Sequence, residues 1–230
     1  MKLRKLILIT SVLSIFGCAS ESEDESNNSS SSKQHEQNGF RISGESLPFF
    51  GPITKIGQDT SFYQIPKFSL LDQDSLDLGY SAFEGKVMVV DFFFTTCSTI
   101  CPIMTEGLVK LQSQLAEKGV SKEVNFLSVT IDPDVDSPYV LKAYAEEKKA
   151  NLDSWKFATA DIEYVDRLSK EGFFLAVDRD AAHQDGIIHS SQVILVDQNR
   201  HVRGSYDAID EVELKLLLED LIILTENERK

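Results

Sequence analysis

Val87-Met88-Val89-Val90-Asp91-Phe92-Phe93-Phe94 is an apolar run interrupted by a single carboxylate, and Thr95-Thr96-Cys97-Ser98-Thr99-Ile100-Cys101-Pro102 follows it directly. A run without polar alternation is what a central parallel strand requires, because other elements cover both of its faces. Residues 104–117 then repeat apolar positions at helical spacing, and Gly119 supplies the usual helix stop. Two cysteines therefore stand where a buried strand turns into a helix. In an open α/β sheet the carboxyl ends of strands are where sites are built. A helix N-terminus also offers free amides and positive potential, which favour thiolate over thiol. Pro102 costs little there, since first-turn amides have no intrahelical partner.

Residues four apart on a helix share one face. Two sulfurs so placed can converge on one soft metal ion or, with backbone adjustment, close a disulfide. A purely structural disulfide or a pair of inert buried thiols is the alternative, and the strand-to-helix position speaks against it. Thiolate favours Cu(I) and an added imidazole suits Cu(II), whereas structural zinc wants four protein ligands and no fourth is evident. The chain has four histidines. His35 falls in a polar spacer and His201 in the last hairpin, both expected to face solvent. His183 and His189 flank Gln184-Asp185-Gly186-Ile187-Ile188, just before a strand at 192–196. His189 is nearer that strand, but spacing alone leaves the choice between the two open.

Outward from this centre the pattern alternates β and α without internal repeat. Residues 62–71 and 76–80 read as short strands around Asp72-Gln73-Asp74-Ser75, and 124–131 as the strand after the first helix. Asp136-Ser137-Pro138 opens a second helix, with a capping side chain and proline in the first turn. Residues 157–159 form a strand and 162–171 a helix behind Asp161. Residues 192–196 and 201–205 form a hairpin over Asp197-Gln198-Asn199-Arg200. An amphipathic helix capped by Asp210 covers 211–224, and Phe173-Phe174-Leu175 is expected in the core. The whole is similar to the thioredoxin-like fold: α/β, with a central mixed sheet flanked by helices and a terminal β-hairpin. Such a fold does not by itself give a function.

With 230 residues, 42% hydrophobic and 26% charged, the chain is neither wholly disordered nor a multi-span membrane protein. Its 37 acidic against 23 basic residues, a net charge of -14, argue against a nucleic-acid partner, whose phosphates would be repelled. Three cysteines are too few for a disulfide scaffold. Lys2, Arg4 and Lys5 precede an apolar run at 6–16, shorter than the roughly 20 residues of a membrane span, so residues 1–17 read as a signal peptide. Ile15-Phe16-Gly17-Cys18 resembles the lipobox of bacterial lipoproteins. That resemblance implies cleavage before Cys18, lipidation of Cys18 and anchoring to a membrane of a bacterial cell envelope, with the domain outside the cytoplasm. A plain secretory signal with an incidental cysteine is the alternative. Residues 18–43, with Glu21, Glu23, Asp24, Glu25 and Ser29-Ser30-Ser31-Ser32, are too polar to bury surface and read as a disordered tether. One globular domain is expected over 44–230.

The segment from Phe92 through Cys97-Ser98-Thr99-Ile100-Cys101-Pro102 to Met104 resembles the C-x-x-x-C-P motif of the Sco/SenC family. Asp132-Pro133-Asp134-Val135-Asp136-Ser137-Pro138 resembles its D-P-x-x-D-[ST]-P motif, and His189-Ser190-Ser191 ahead of a strand ending in Asp197 is similar to the position of its distal histidine. The resemblance runs from about residue 62 to 224 with three motifs in order. It implies a thioredoxin-like domain holding copper, Cu(I) or Cu(II), through Cys97, Cys101 and His189. It further implies delivery of that copper to the binuclear copper centre of cytochrome c oxidase, the copper-centre subunit or another copper or thiol protein being the partner. Asp132 and Asp136 are expected to form a turn and cap a helix. Family members that act as thiol-disulfide reductases suggest the rival reading, an oxidoreductase in which Cys97 attacks and Cys101 resolves. A peroxiredoxin-like peroxidase fits less well, because Cys101-Pro102 would be superfluous. A lipid-anchored binding domain with a structural dithiol is the remaining alternative.

Overall fold

The computed structural model describes residues 47–178 and 188–226. The expected signal peptide, Cys18, the expected tether with His35, and His183 lie outside the described residues. In chain order the elements are β1 (Ile53–Ile56), β2 (Asp59–Phe62), β3 (Ser69–Asp72), β4 (Asp77–Gly79), β5 (Val87–Phe93), α1 (Ile100–Glu117), β6 (Val124–Thr130), α2 (Pro138–Lys148), β7 (Trp155–Thr159), α3 (Ile162–Arg167), β8 (Val177–Asp178), β9 (Ile188–His189), β10 (Gln192–Val196), β11 (Val202–Asp207) and α4 (Glu211–Glu226). One sheet runs β11-β10-β5-β6-β7-β3-β4. Its centre, β5-β6-β7, is parallel, while β10, β11, β3 and β4 add antiparallel flanks. This is the expected mixed sheet with helices and a terminal β10–β11 hairpin.

Every side chain of β5 is buried, as its unbroken apolar run requires. Helices α1 and α2 connect the parallel steps from β5 to β6 and from β6 to β7 and pack against one another. They meet where the Tyr144 and Thr105 hydroxyls hydrogen-bond at 2.9 Å. Helix α4 packs on α1 at Gly107, where a Cβ would stand 2.8 Å from Leu214 Cδ1 and 3.1 Å from the Ala208 carbonyl oxygen. Trp155 stacks on Phe157 with centroids 5.1 Å apart, and Phe157 meets Phe93 edge-on at 5.6 Å. Each such ring, fully buried, stabilises the fold by about 1.5–3 kcal/mol.

Four expectations shift. The strand read at 62–71 is two pieces, because Pro66 cannot donate to a ladder and the Ile65 amide instead donates to the Arg200 carbonyl at 2.8 Å, carrying Ile65 into the core. The helix expected from residue 104 begins at Ile100, so Cys101 lies inside its first turn. The helix at 162–171 is α only to Arg167 and then widens into a π turn, Leu168–Gly172. Phe173 and Leu175 are core as expected, but Phe174 is 46% exposed at φ +58°, leaning on Tyr63 with centroids 4.8 Å apart. Caps at Asp161 and Asp210 hold, accepting from the Glu163 amide at 2.9 Å and the Val212 amide at 2.7 Å. Among the described residues no helix is long and apolar enough to cross a membrane.

The one carboxylate of β5 is held across the parallel strands. Ser128 on β6 donates to Asp91 at 2.6 Å, and the Trp155 indole N–H on β7 donates to Ser128 at 2.8 Å. Burial pushes the Asp91 carboxyl from 3.8 up to about 7, against the opposing pull of the Ser128 bond. The native state therefore keeps this proton over a range in which the unfolded chain has lost it. Its contribution to stability is full below 3.8 and is lost as pH rises to about 7. Asp91→Asn should abolish that loss: from pH 5 to pH 8 its Tm should gain about 5 °C or more on the parent, measured by calorimetry at both pH values.

Candidate functional site

β5 ends at Phe93 and α1 starts at Ile100, leaving a short turn in which Phe94 and Cys97 are buried while Thr96, Ser98 and Thr99 are exposed. The Cys97 amide donates to the Phe94 carbonyl at 3.3 Å, closing the turn. The first amides of an α-helix need an acceptor, ordinarily a side-chain oxygen at the N-cap. Thr99, at that position, makes no such bond. Instead the Cys101 amide donates to Cys97 Sγ at 3.4 Å, and the Thr99 hydroxyl lies 3.6 Å from the same sulfur. A sulfur thus takes the place of the capping oxygen, and the spacing of four residues is what brings it under that amide. Below it, Thr105 donates to the Cys101 carbonyl at 2.9 Å and receives the Tyr144 hydroxyl.

The two cysteines differ sharply. Neither forms a disulfide; Cys97 is 5% exposed and Cys101 fully buried. Burial alone would raise the Cys97 thiol, but the Cys101 amide, Thr99 and the Cys101 thiol all donate to its sulfur, and the net shift is downward. Burial pushes the Cys101 thiol strongly up, and the neighbouring charges of Cys97 and Asp91 push the same way. The pair is one thiolate-prone sulfur with a small exposed area and one protonated donor wholly buried behind it. Two soft sulfurs linked in this way suit a soft, thiophilic ion or a dithiol–disulfide step.

His189 forms β9 with Ile188, its backbone opposite Val177 of β8; its imidazole lies outside the described residues. Among the described residues no group of three or more His, Cys, Asp or Glu side chains gathers to hold a metal ion. Asp132 is turn-forming as expected, its carbonyl accepting the Val135 and Asp136 amides at 3.1 and 2.9 Å. Asp136 is a correction. It does not cap α2; its fully buried carboxylate accepts the Thr95 amide at 3.0 Å and the hydroxyls of Thr95 and Thr130. The polar pair Thr95 and Thr130, each just past or at the end of a buried strand, was the available signal. His201 is a second correction, only 18% exposed, with Nδ1 3.3 Å from Asp197 and its ring edge-on to Phe49. Asp197 draws it in because that carboxylate is itself buried, paired with Arg203 at 2.8 Å.

The asymmetry is measurable. In the reduced protein at pH 7, iodoacetamide should modify Cys97 at least about tenfold faster than Cys101, read by peptide mass spectrometry, because the thiolate is the nucleophile. In Cys97→Ser the fast phase should vanish.

The SCO1/SenC family model matches residues 58–219, which include both cysteines and His189. A SCO1/SenC family lipoprotein of Bacillus anthracis, known from its crystal structure, is 32% identical with a TM-score of 0.65, covering 70% of this chain and 95% of that one. BsSco, described with a disulfide switch as a member of the Sco family of cytochrome c oxidase assembly proteins, is 27% identical with a TM-score of 0.64, covering 71% and 94%. A Stutzerimonas stutzeri protein named for copper binding is 27% identical over 141 residues, 61% of this chain and 67% of that protein. With 32% identity across nearly all of one solved relative and a family match through the dithiol turn, the chain belongs to the SCO1/SenC family.

Proposed function

We propose that this chain is a copper carrier of the bacterial cell envelope, anchored through lipid on Cys18, that delivers copper to the binuclear copper centre of cytochrome c oxidase. The observation that carries the reading is the juxtaposition of two cysteines outside any disulfide where α1 begins, joined by the 3.4 Å bond from the Cys101 amide to Cys97 Sγ. Cu(I) is held by Cys97 and Cys101, and His189 completes the ligand set for Cu(II). Delivery proceeds by ligand exchange, partner thiolates replacing these two in turn. The relatives support the reading: one is named for copper binding, one belongs to a family of oxidase assembly proteins, and one is a lipoprotein.

Copper must displace the proton that Cys101 retains at neutral pH, so binding releases protons. Affinity therefore falls as pH falls, by about tenfold per pH unit for each proton released. Anaerobic titration of the reduced protein should show one tightly held Cu(I), with that pH slope. Cys97→Ser or Cys101→Ser should weaken it by more than about 100-fold, beyond the range for residues that only support a ligand. His189→Ala should remove a thiolate-to-Cu(II) charge-transfer band. Unchanged affinity in the cysteine variants would sink the carrier reading.

The asymmetry of the two thiols favours a second reading, a thiol-disulfide oxidoreductase. Cys97 thiolate attacks a partner disulfide, releasing the partner's thiolate and forming a mixed disulfide; Cys101, its proton passing to that thiolate, then displaces the second partner sulfur as the Cys97–Cys101 disulfide forms. Dithiol exchange that survives His189→Ala, with no stoichiometric copper uptake, would establish it instead.

A further inference from the structure

We propose that Asp136 is the positioning residue of the dithiol: its carboxylate reaches across from the β6–α2 connection and fixes the Thr95–Cys97 turn, so that Cys97 Sγ stays under the amide that opens α1. The connection is built to swing this side chain inward. The Val135 and Asp136 amides both close on the Asp132 carbonyl, while Thr130 Oγ1 receives the Asp132 amide at 3.0 Å and donates to Asp136 at 2.5 Å. The carboxylate is 0% exposed, and Ser137, at the N-cap of α2, makes no side-chain capping bond in its stead. A charge taken out of water is costly unless donors surround it. Here they come from both strand ends: the Thr95 amide and hydroxyl on one side and the Thr130 hydroxyl on the other.

Those bonds are not needed to align the strands. Phe93 already pairs with Thr130 in the parallel ladder, and the Ile131 amide donates to the Phe93 carbonyl at 2.8 Å. What the carboxylate adds lies beyond the last rung, at Thr95, two residues before Cys97. From there the chain is next held where the Cys97 amide donates to the Phe94 carbonyl, before the sulfur meets the helix. With the hold of the carboxylate on Thr95 lost at either its amide or its hydroxyl, that sulfur loses its fixed place opposite the Cys101 amide and the Thr99 hydroxyl. Asp136 touches neither sulfur in this scheme and acts only through Thr95.

The test uses the full reduced chain carrying Asp136→Asn or Thr95→Val, with Tyr206→Phe as control. Tyr206 donates to Asp220 at 2.5 Å between β11 and α4, so the control removes a hydrogen bond elsewhere in the domain. Two readouts are taken: the rate of Cys97 alkylation at pH 7 in copper-free protein, and Cu(I) affinity by competition with a chromophoric chelator. Both test variants should slow alkylation several-fold and weaken Cu(I) by about 10–100-fold, the range for groups that orient a ligand. The control should lower Tm and leave both readouts unchanged. Alkylation of Asp136→Asn at the parental rate overturns the proposal; should that variant not fold, the parental rate in Thr95→Val overturns it. The affinity readout rests on the copper reading of the dithiol, whereas alkylation does not. A parent protein that takes up no copper would therefore overturn the carrier function, and alkylation would still decide Asp136.

Discussion

A strand buried along its whole length must end somewhere, and the backbone polar groups at its end must find partners without water. That constraint shapes the centre of this protein. β5 has no exposed residue, and the turn that follows it satisfies its amides by three different means. Thr95 turns to a buried carboxylate, Cys97 to a carbonyl three residues back, and Cys101 to a sulfur. An unsatisfied buried amide costs about 1–3 kcal/mol, so each of these partners is held in place by the same demand that it meets. The dithiol is not an ornament on a finished fold. One of its sulfurs is part of how the fold closes its own helix.

The unlike protonation of the two cysteines follows from that arrangement. Donors converge on Cys97 and outweigh its burial, while Cys101, deeper and facing the charge of its neighbour, holds its proton. A carrier and a reductase would use the same inequality differently. For a carrier the retained proton is a barrier to loading that a soft ion can displace; for a reductase it keeps the second thiol in reserve until the first has reacted. The two readings share a ground state and part only at the third ligand, which is why the imidazole of His189 separates them.

A second buried ionic group organises the start of the domain. Arg203 pairs with Asp197, donates to the carbonyls of Leu47 and Pro48, and lies 4.1 Å from the centre of the Phe49 ring. Phe49 in turn stacks on Phe62 at 4.1 Å, with His201 against its edge. The chain segment that leads in from the proposed tether is thus gripped at the β10–β11 turn. A charged pair kept from water in this way is strongly destabilised by loss of one partner, which leaves the other charge buried and alone.

Periodicity and residue type alone determined the buried strand at Val87, the helix behind the cysteines, the closing hairpin and the caps at Asp161 and Asp210, because each depends on side chains within a few residues of one another. The cysteine pair and its place at a strand end were legible for the same reason. Tertiary structure decided what depends on distant partners. Asp136 sits before a helix as a capping residue does, but Thr95, 41 residues away, claims its carboxylate. His201 sits in a hairpin as a surface residue does, but Asp197 and the Phe49 ring enclose it. The inequality of the two cysteines is likewise a matter of depth, since a helix start favours thiolate only for a sulfur that its amides can reach and that burial does not outweigh.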